Sequence, residues 1–195
     1  MVFTAAANGP RGLVPARASS GLAQRTNQYQ ILGTYGTNFY TGQPVMIGTD
    51  GKLIVLTAAT DTILGVFAGV EYISTVGDVI FKPYWDAPGA VQTGSQVRAT
   101  IYDDPRGIFS IYADADLSIA RVSDYFKFDT VVGTGGSTVT GQSSLSLDVG
   151  ATATAADGYQ IQLRGFDVQK GRPGDLRTGL VQFVDPEYAG ELGAD

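Results

Sequence analysis

QVRATIYDDPRGIFSIY, residues 96–112, is the stretch whose reading decides the fold class. Val97, Ala99 and Ile101 alternate with Gln96, Arg98 and Thr100. That two-residue period puts apolar side chains on one face of an extended chain. Asp103-Asp104-Pro105-Arg106-Gly107 then reads as a turn, and Phe109 and Ile111 alternate with Ser110 beyond it.

The same grammar recurs on both sides. Tyr29 and Ile31 alternate with Gln28 and Gln30, and Val45 and Ile47 form the next apolar pair. Thr49-Asp50-Gly51-Lys52 separates that pair from Leu53, Ile54 and Val55, and Asp-Gly between apolar runs is a hairpin signal. Residues 62–73, TILGVFAGVEYI, are interrupted by Gly65 and Gly69, which predicts a bent or bulged strand. A helix there carries two interior glycines and several β-branched residues, both unfavourable. Val79 and Phe81 mark another strand. Leu145, Leu147 and Val149 alternate with Ser144, Ser146 and Asp148. Tyr159, Ile161 and Leu163 follow an Asp157-Gly158 turn, and Leu180, Val181 and Phe183 follow Pro173-Gly174. A short helix is expected only at 115–124. About ten short strands with frequent turns predict an all-β fold, an antiparallel barrel or sandwich.

Composition agrees. The chain has 195 residues, 26 of them glycine, and 44% hydrophobic residues. Charged residues make up only 16%, against roughly 25% in an average soluble domain. Cysteine and histidine are absent. Disulfides, Cys/His zinc sites, thiolate nucleophiles and Ser-His-Asp triads are therefore excluded. No apolar run approaches the length of a membrane span. The N-terminus lacks the basic and apolar blocks of a signal peptide, so synthesis in the cytoplasm is expected.

Charge divides the chain. Residues 1–49 hold Arg11, Arg17 and Arg25 and no acid. Three of the thirteen bases thus precede Asp50, leaving ten against nineteen acids in the rest, a balance of −9. An acidic body argues against nucleic acid as a partner. Residues 1–27 show neither apolar period and read as an extended arm ahead of a body at 28–186. Residues 187–195 read as an acidic tail.

Catalytic and metal-binding readings are weak. Gly133-Thr134-Gly135-Gly136 lacks the Lys-Ser/Thr ending of a phosphate loop, and residues 133–143 read as a flexible polar loop. Asp114-Ala115-Asp116-Leu117-Ser118 has alternating oxygens, but Ile119 stands where a calcium loop needs glycine and Tyr125 where it needs an acid. Asp103-Asp104 fits a turn better than an acid/base pair. No cofactor and no metal are expected, and the chain is not read as an enzyme. Aromatics beside Gly and Pro are the better resource: Tyr35, Phe39 and Tyr40 in GTYGTNFYTGQP, Tyr84 and Trp85 in FKPYWDAPGA. They are expected either to anchor an interface or to fill the core.

Several motifs stand in a suggestive order: Gly12-Leu13-Val14-Pro15-Ala16-Arg17 with Ser20-Gly21, then Asn27-Gln28-Tyr29, then GTNFYTGQPV at 36–45. Gly65-Val66-Phe67-Ala68-Gly69-Val70-Glu71-Tyr72, Tyr84-Trp85, Asp103-Asp104-Pro105 and Arg164-Gly165-Phe166 follow. In this series the chain resembles the capsid decoration (cement) proteins of tailed bacteriophages, over about residues 1–186. The resemblance implies a small β-rich virion protein on the capsid exterior. It would bind the major capsid protein at capsomer junctions and associate as a homodimer or homotrimer, with no catalytic residues. Arg11, Leu13, Arg17, Arg25, Phe39, Tyr40, Tyr84 and Trp85 are the expected capsid contacts. The competing readings are a tail, head-fibre or minor capsid component, and a carbohydrate-binding β-sandwich that stacks sugars on Tyr35, Phe39, Tyr84 and Trp85.

Overall fold

The computed structural model describes residues 11–18, 24–56, 61–87, 90–117, 124–128, 135–153, 160–166 and 178–184. Among them the regular structure is all β. The first seven strands are β1 (Val14–Ala18), β2 (Thr26–Ile31), β3 (Phe39–Tyr40), β4 (Pro44–Ile47), β5 (Leu53–Val55), β6 (Gly65–Ile73) and β7 (Val79–Lys82). The others are β8 (Tyr84–Trp85), β9 (Val97–Tyr102), β10 (Gly107–Tyr112), β11 (Tyr125–Phe128), β12 (Leu147–Ala153), β13 (Ile161–Phe166) and β14 (Thr178–Phe183).

One sheet runs β1-β10-β14-β13-β11-β12. The second runs β2-β9-β6-β4-β5, with β7 on β6 beyond β4, and β3 pairs β8 separately. Every pairing between named strands is antiparallel. No described helix is long and apolar enough to cross a membrane.

The alternation at 97–102 is realised: Val97, Ala99 and Ile101 are buried and Arg98 is exposed. The turn at 103–107 does not close a hairpin, since β9 and β10 belong to different sheets. Asp104 opens it, its carboxylate accepting the Arg106 N–H at 2.9 Å and its carbonyl the Gly107 N–H at 2.9 Å. Ser110, expected on an outer face, is buried, so β10 is covered on both sides.

The Asp-Gly hairpin forms between β4 and β5. Gly48 donates to the Lys52 carbonyl at 2.8 Å, which leaves Thr49-Asp50-Gly51 as a three-residue loop. Gly51 takes φ +73°, the left-handed residue such loops require. The bulge expected in 62–73 sits between Phe67 and Gly69, where the register of β6 on β9 shifts.

Two apolar clusters fill the body. One gathers Phe109, Ile111, Leu147, Ile161, Leu163, Val181 and Phe183 of the first sheet with Leu13, Leu56, Ile63 and Val66. The other lies under the second sheet around Phe39, Phe67, Trp85 and Ile101. Val66 of β6, with half-buried Met46 and Tyr102, packs into the first cluster, so the sheets meet there.

The arm requires correction. Residues 11–18 and 24–27 belong to the body. Leu13 is 1% exposed in the first core cluster, and Val14–Ala18 forms an edge strand on β10. Gly12 donates to the Leu145 carbonyl at 3.2 Å, and Leu13 to that of Gly42 at 2.8 Å. A side chain at Gly12 would meet the Gly42 oxygen at 2.4 Å, and Gly12 itself has φ +69°. Glycine at both positions lets GLVPAR and GTNFYTGQPV cross backbone to backbone. The short strand was hidden because its partner lies far along the chain and Pro15 masks its period.

The turns at 157–158 and 173–174, the helix beyond Leu117, the arm at 1–10 and the tail at 187–195 lie outside the described residues. Up to Leu117 there is no α-helix in the expected segment.

Candidate partner-binding surfaces

The eight expected contact residues separate by environment. Phe39, Tyr40, Trp85 and Leu13 are buried, with Phe39 and Trp85 at 0% exposure. The short pair β3–β8 sets Phe39 opposite Trp85 and Tyr40 opposite Tyr84. Phe39 lies 5.2 Å from the Tyr35 ring and 5.4 Å from Phe67, while Trp85 meets Tyr72 edge-on at 5.7 Å and 83°. The indole Nε1 donates to the Tyr35 carbonyl at 3.2 Å. Offset and edge contacts of this kind are how aromatic rings pack in a core.

Phe39 and Trp85 fill the second core and Tyr40 is buried, so for these three the core-filling alternative holds and their expected role as capsid contacts is corrected. The neighbouring glycines permit close packing over them. A Cβ on Gly136 would strike the Tyr40 ring at 2.2 Å, and one on Gly141 would meet Pro83 at 2.4 Å. The loop at 135–143 is accordingly well built: Gly136 bridges to Ser143, and Ser137 Oγ accepts the Val139 and Thr140 N–H groups at 3.2 and 3.4 Å. A sugar platform on Phe39 and Trp85 is closed off by the same burial.

Arg25 is engaged within the chain. Its Nε donates to Asp103 Oδ1 at 3.0 Å and its guanidinium to the Asp103 carbonyl at 2.9 Å. Asp103 Oδ2 accepts from Asn27 Nδ2 at 2.7 Å and Tyr29 OH at 2.6 Å. The Asp103 side chain is fully buried whereas that of Arg25 is 52% exposed. The hydrogen bond to Asp103 raises the Arg25 pKa above its ordinary value, against a smaller lowering from partial burial. The cluster ties the start of β2 to the end of β9 and acts as a structural clasp. Asp103→Ala strands three donors around a buried site and is expected to lower stability by about 2–3 kcal/mol. Arg25→Ala costs less, about 1 kcal/mol, because the pair is half-exposed on the arginine side and the Asp103 carboxylate keeps its hydrogen bonds from Asn27 and Tyr29. Urea denaturation of both variants checks the order, and equal losses would contradict it.

Arg11 is exposed, Tyr84 is half-buried with Lys82 Nζ 5.3 Å from its ring centroid, and Arg17 lies on the edge strand β1. Asp114, read as a possible calcium ligand, instead accepts the Val149 N–H through Oδ1 at 3.0 Å. Among the described residues no three His, Cys, Asp or Glu side chains gather where a metal ion would be held.

Sequence reasoning missed the apolar side chains that do face solvent. Val76 is 81% exposed, Val79 55%, Phe81 72% and Val139 93%. Val76 lies in the turn between β6 and β7, Val79 and Phe81 on β7, and Val139 at the tip of the 135–143 loop. The period of VIFK in residues 79–82 announces a strand without saying which face is covered. That depends on which side the second core packs against: Ile80 packs on it, so Val79 and Phe81 of the alternate face look outward.

No protein-family model, curated protein or solved structure matches this chain.

Proposed function

We propose that this protein is a capsid decoration protein of a tailed bacteriophage, which adheres to the outer shell through the major capsid protein and associates with copies of itself. The order of motifs resembling that family motivates the reading. The observation that carries it is the exposure of Val76, Val79, Phe81 and Val139 on an edge strand and two turns of a charge-poor body. Large apolar groups displayed on convex features suit surface-to-surface adhesion, in which a few such anchors supply most of the binding energy. Arg11 adds an exposed cation close to β1, the first strand among the described residues.

The test mixes the purified protein with capsids lacking it and images the particles. The expected result is saturable, ordered density on the shell in fixed ratio to the major capsid protein. Absence of binding overturns the reading. A few copies per particle, at one vertex or on the tail, would assign a tail, fibre or minor capsid part instead. The arm's share is measured by deleting residues 1–10, which spares Leu13 and β1, and by Arg11→Glu. Both are expected to lower occupancy with the melting temperature unchanged.

A further inference from the structure

We infer that two copies of this chain join edge to edge through β7, in an antiparallel pairing centred on Ile80. The inference rests on the self-association in the reading above and not on its capsid-binding part.

Three independent features of Asp78-Val79-Ile80-Phe81-Lys82 converge on it. The first is an open edge. Among the described residues β7 pairs only with β6, in the register Ile73↔Val79, Tyr72↔Ile80, Glu71↔Phe81 and Val70↔Lys82. Ser74 N–H donates to the Asp78 carbonyl at 2.8 Å, so the residues whose backbone groups turn toward β6 are Asp78, Ile80 and Lys82. Antiparallel ladders alternate, so the N–H and C=O groups of Val79 and Phe81 point away from β6. A two-fold axis at Ile80 sets Val79 opposite the partner's Phe81 and joins them with both hydrogen bonds, twice over.

The second feature is apolar. Phe81 is 72% and Val79 55% exposed on one face of β7. Natural edge strands are commonly blunted by a lysine, proline or bulge; β7 ends in Lys82 with Pro83 just beyond, but Lys82 alternates onto the Ile80 face, so the face holding Val79 and Phe81 carries no charge. In the centred register each phenylalanine lies across from a valine of the partner, an aromatic and β-branched cross-strand pair.

The third is charge. The segment reads acid, three apolar residues, base. Antiparallel pairing about Ile80 brings Asp78 opposite the partner's Lys82 at both ends, while parallel in-register pairing would set like charges together. Neither Asp78 nor Lys82 has an ion-pair partner among the described residues. Opposite charges across a ladder stabilise it and like charges oppose it, so the sequence of this edge specifies both orientation and register.

The chain contains no cysteine, which makes a sensitive test available. Ile80 and its symmetry mate form a non-hydrogen-bonded pair, with Cα atoms about 4.5 Å apart, within the span of a disulfide. Ile80→Cys in the full chain is expected to give a covalent dimer under mild oxidation, with Val76→Cys, away from the axis, as the comparison that does not. In sedimentation equilibrium of the reduced proteins, D78K and K82D are each expected to weaken dimerisation on the order of tenfold. The D78K/K82D double variant restores it, and F81E abolishes it. Unchanged circular dichroism confirms folding throughout. A dimer or trimer insensitive to both charge reversals and without the cross-link overturns this interface but leaves self-association standing. A monomer at every concentration overturns both.

Discussion

Removing residues 1–18 is expected to leave a chain that folds poorly or aggregates, with loss of roughly 5 kcal/mol or more. Leu13 is 1% exposed among Phe109, Leu145 and Leu147 in the first core cluster. Truncating a buried leucine alone costs about 3–5 kcal/mol once the cavity is counted. Loss of β1 also strips its hydrogen bonds from β10 and exposes the outer edge of the first sheet. The Gly42 and Leu145 carbonyls lose their donors as well. Domains of this kind are stable by only about 5–15 kcal/mol, so the deletion consumes much of the total. Thermal denaturation reads it: a chain of this length loses about 2–4 °C per kcal/mol, giving a fall of at least about 10 °C where soluble protein is recovered. An unchanged melting temperature would show that residues 11–18 are dispensable to the body. The deletion therefore cannot serve as a clean test of partner binding.

Trp85→Ala is expected to cost about 3–5 kcal/mol and to lower the melting temperature by about 10–15 °C. The indole is wholly buried, packs edge-on against Tyr72, and gives its N–H to the Tyr35 carbonyl. Trp85→Phe keeps most of the packing but orphans that carbonyl, so a smaller loss of about 1–2 kcal/mol is expected. As the single tryptophan, Trp85 also reports on itself. The native protein should emit at short wavelength, resist quenching by acrylamide, and be indifferent to added sugars. Red-shifted, readily quenched emission in the folded state, or an alanine variant within about 1 kcal/mol of the parent, would contradict the core placement.

Legibility in the sequence followed distance. Where a strand's burial pattern is written in its own residues, as in 97–102, the two-residue period sufficed. Asp50-Gly51 and Gly69 were equally readable, because a left-handed turn residue and a bulge are local requirements. The strand at 14–18 was not, because its partner is β10 and proline interrupts its short pattern. The β3–β8 pair is two residues long on each side, too short for any period. Its aromatics therefore looked like loop decoration, and the glycines that permit contact at Tyr40 and Pro83 looked like loop flexibility. Arg25 and Asp103 are 78 residues apart, and nothing local announces their pairing. Val79–Lys82 was visible as a strand; that its Val79 and Phe81 face meets solvent became evident only once Ile80 was seen to pack on the second core.

The pairing of Val14 with Ser110 has a consequence for biosynthesis. A ribosome adds roughly 5–20 residues per second, so the leading strand emerges about 5–20 s before its sheet partner exists. During that interval the nascent chain can assemble β4, β5 and β6 from near neighbours, but the first sheet cannot close. Folding that depends on such distant pairing is slow compared with folding through local contacts. An early-emerging Leu13 and its strand thus spend seconds unsatisfied, the stage at which a chaperone gains most access to this protein.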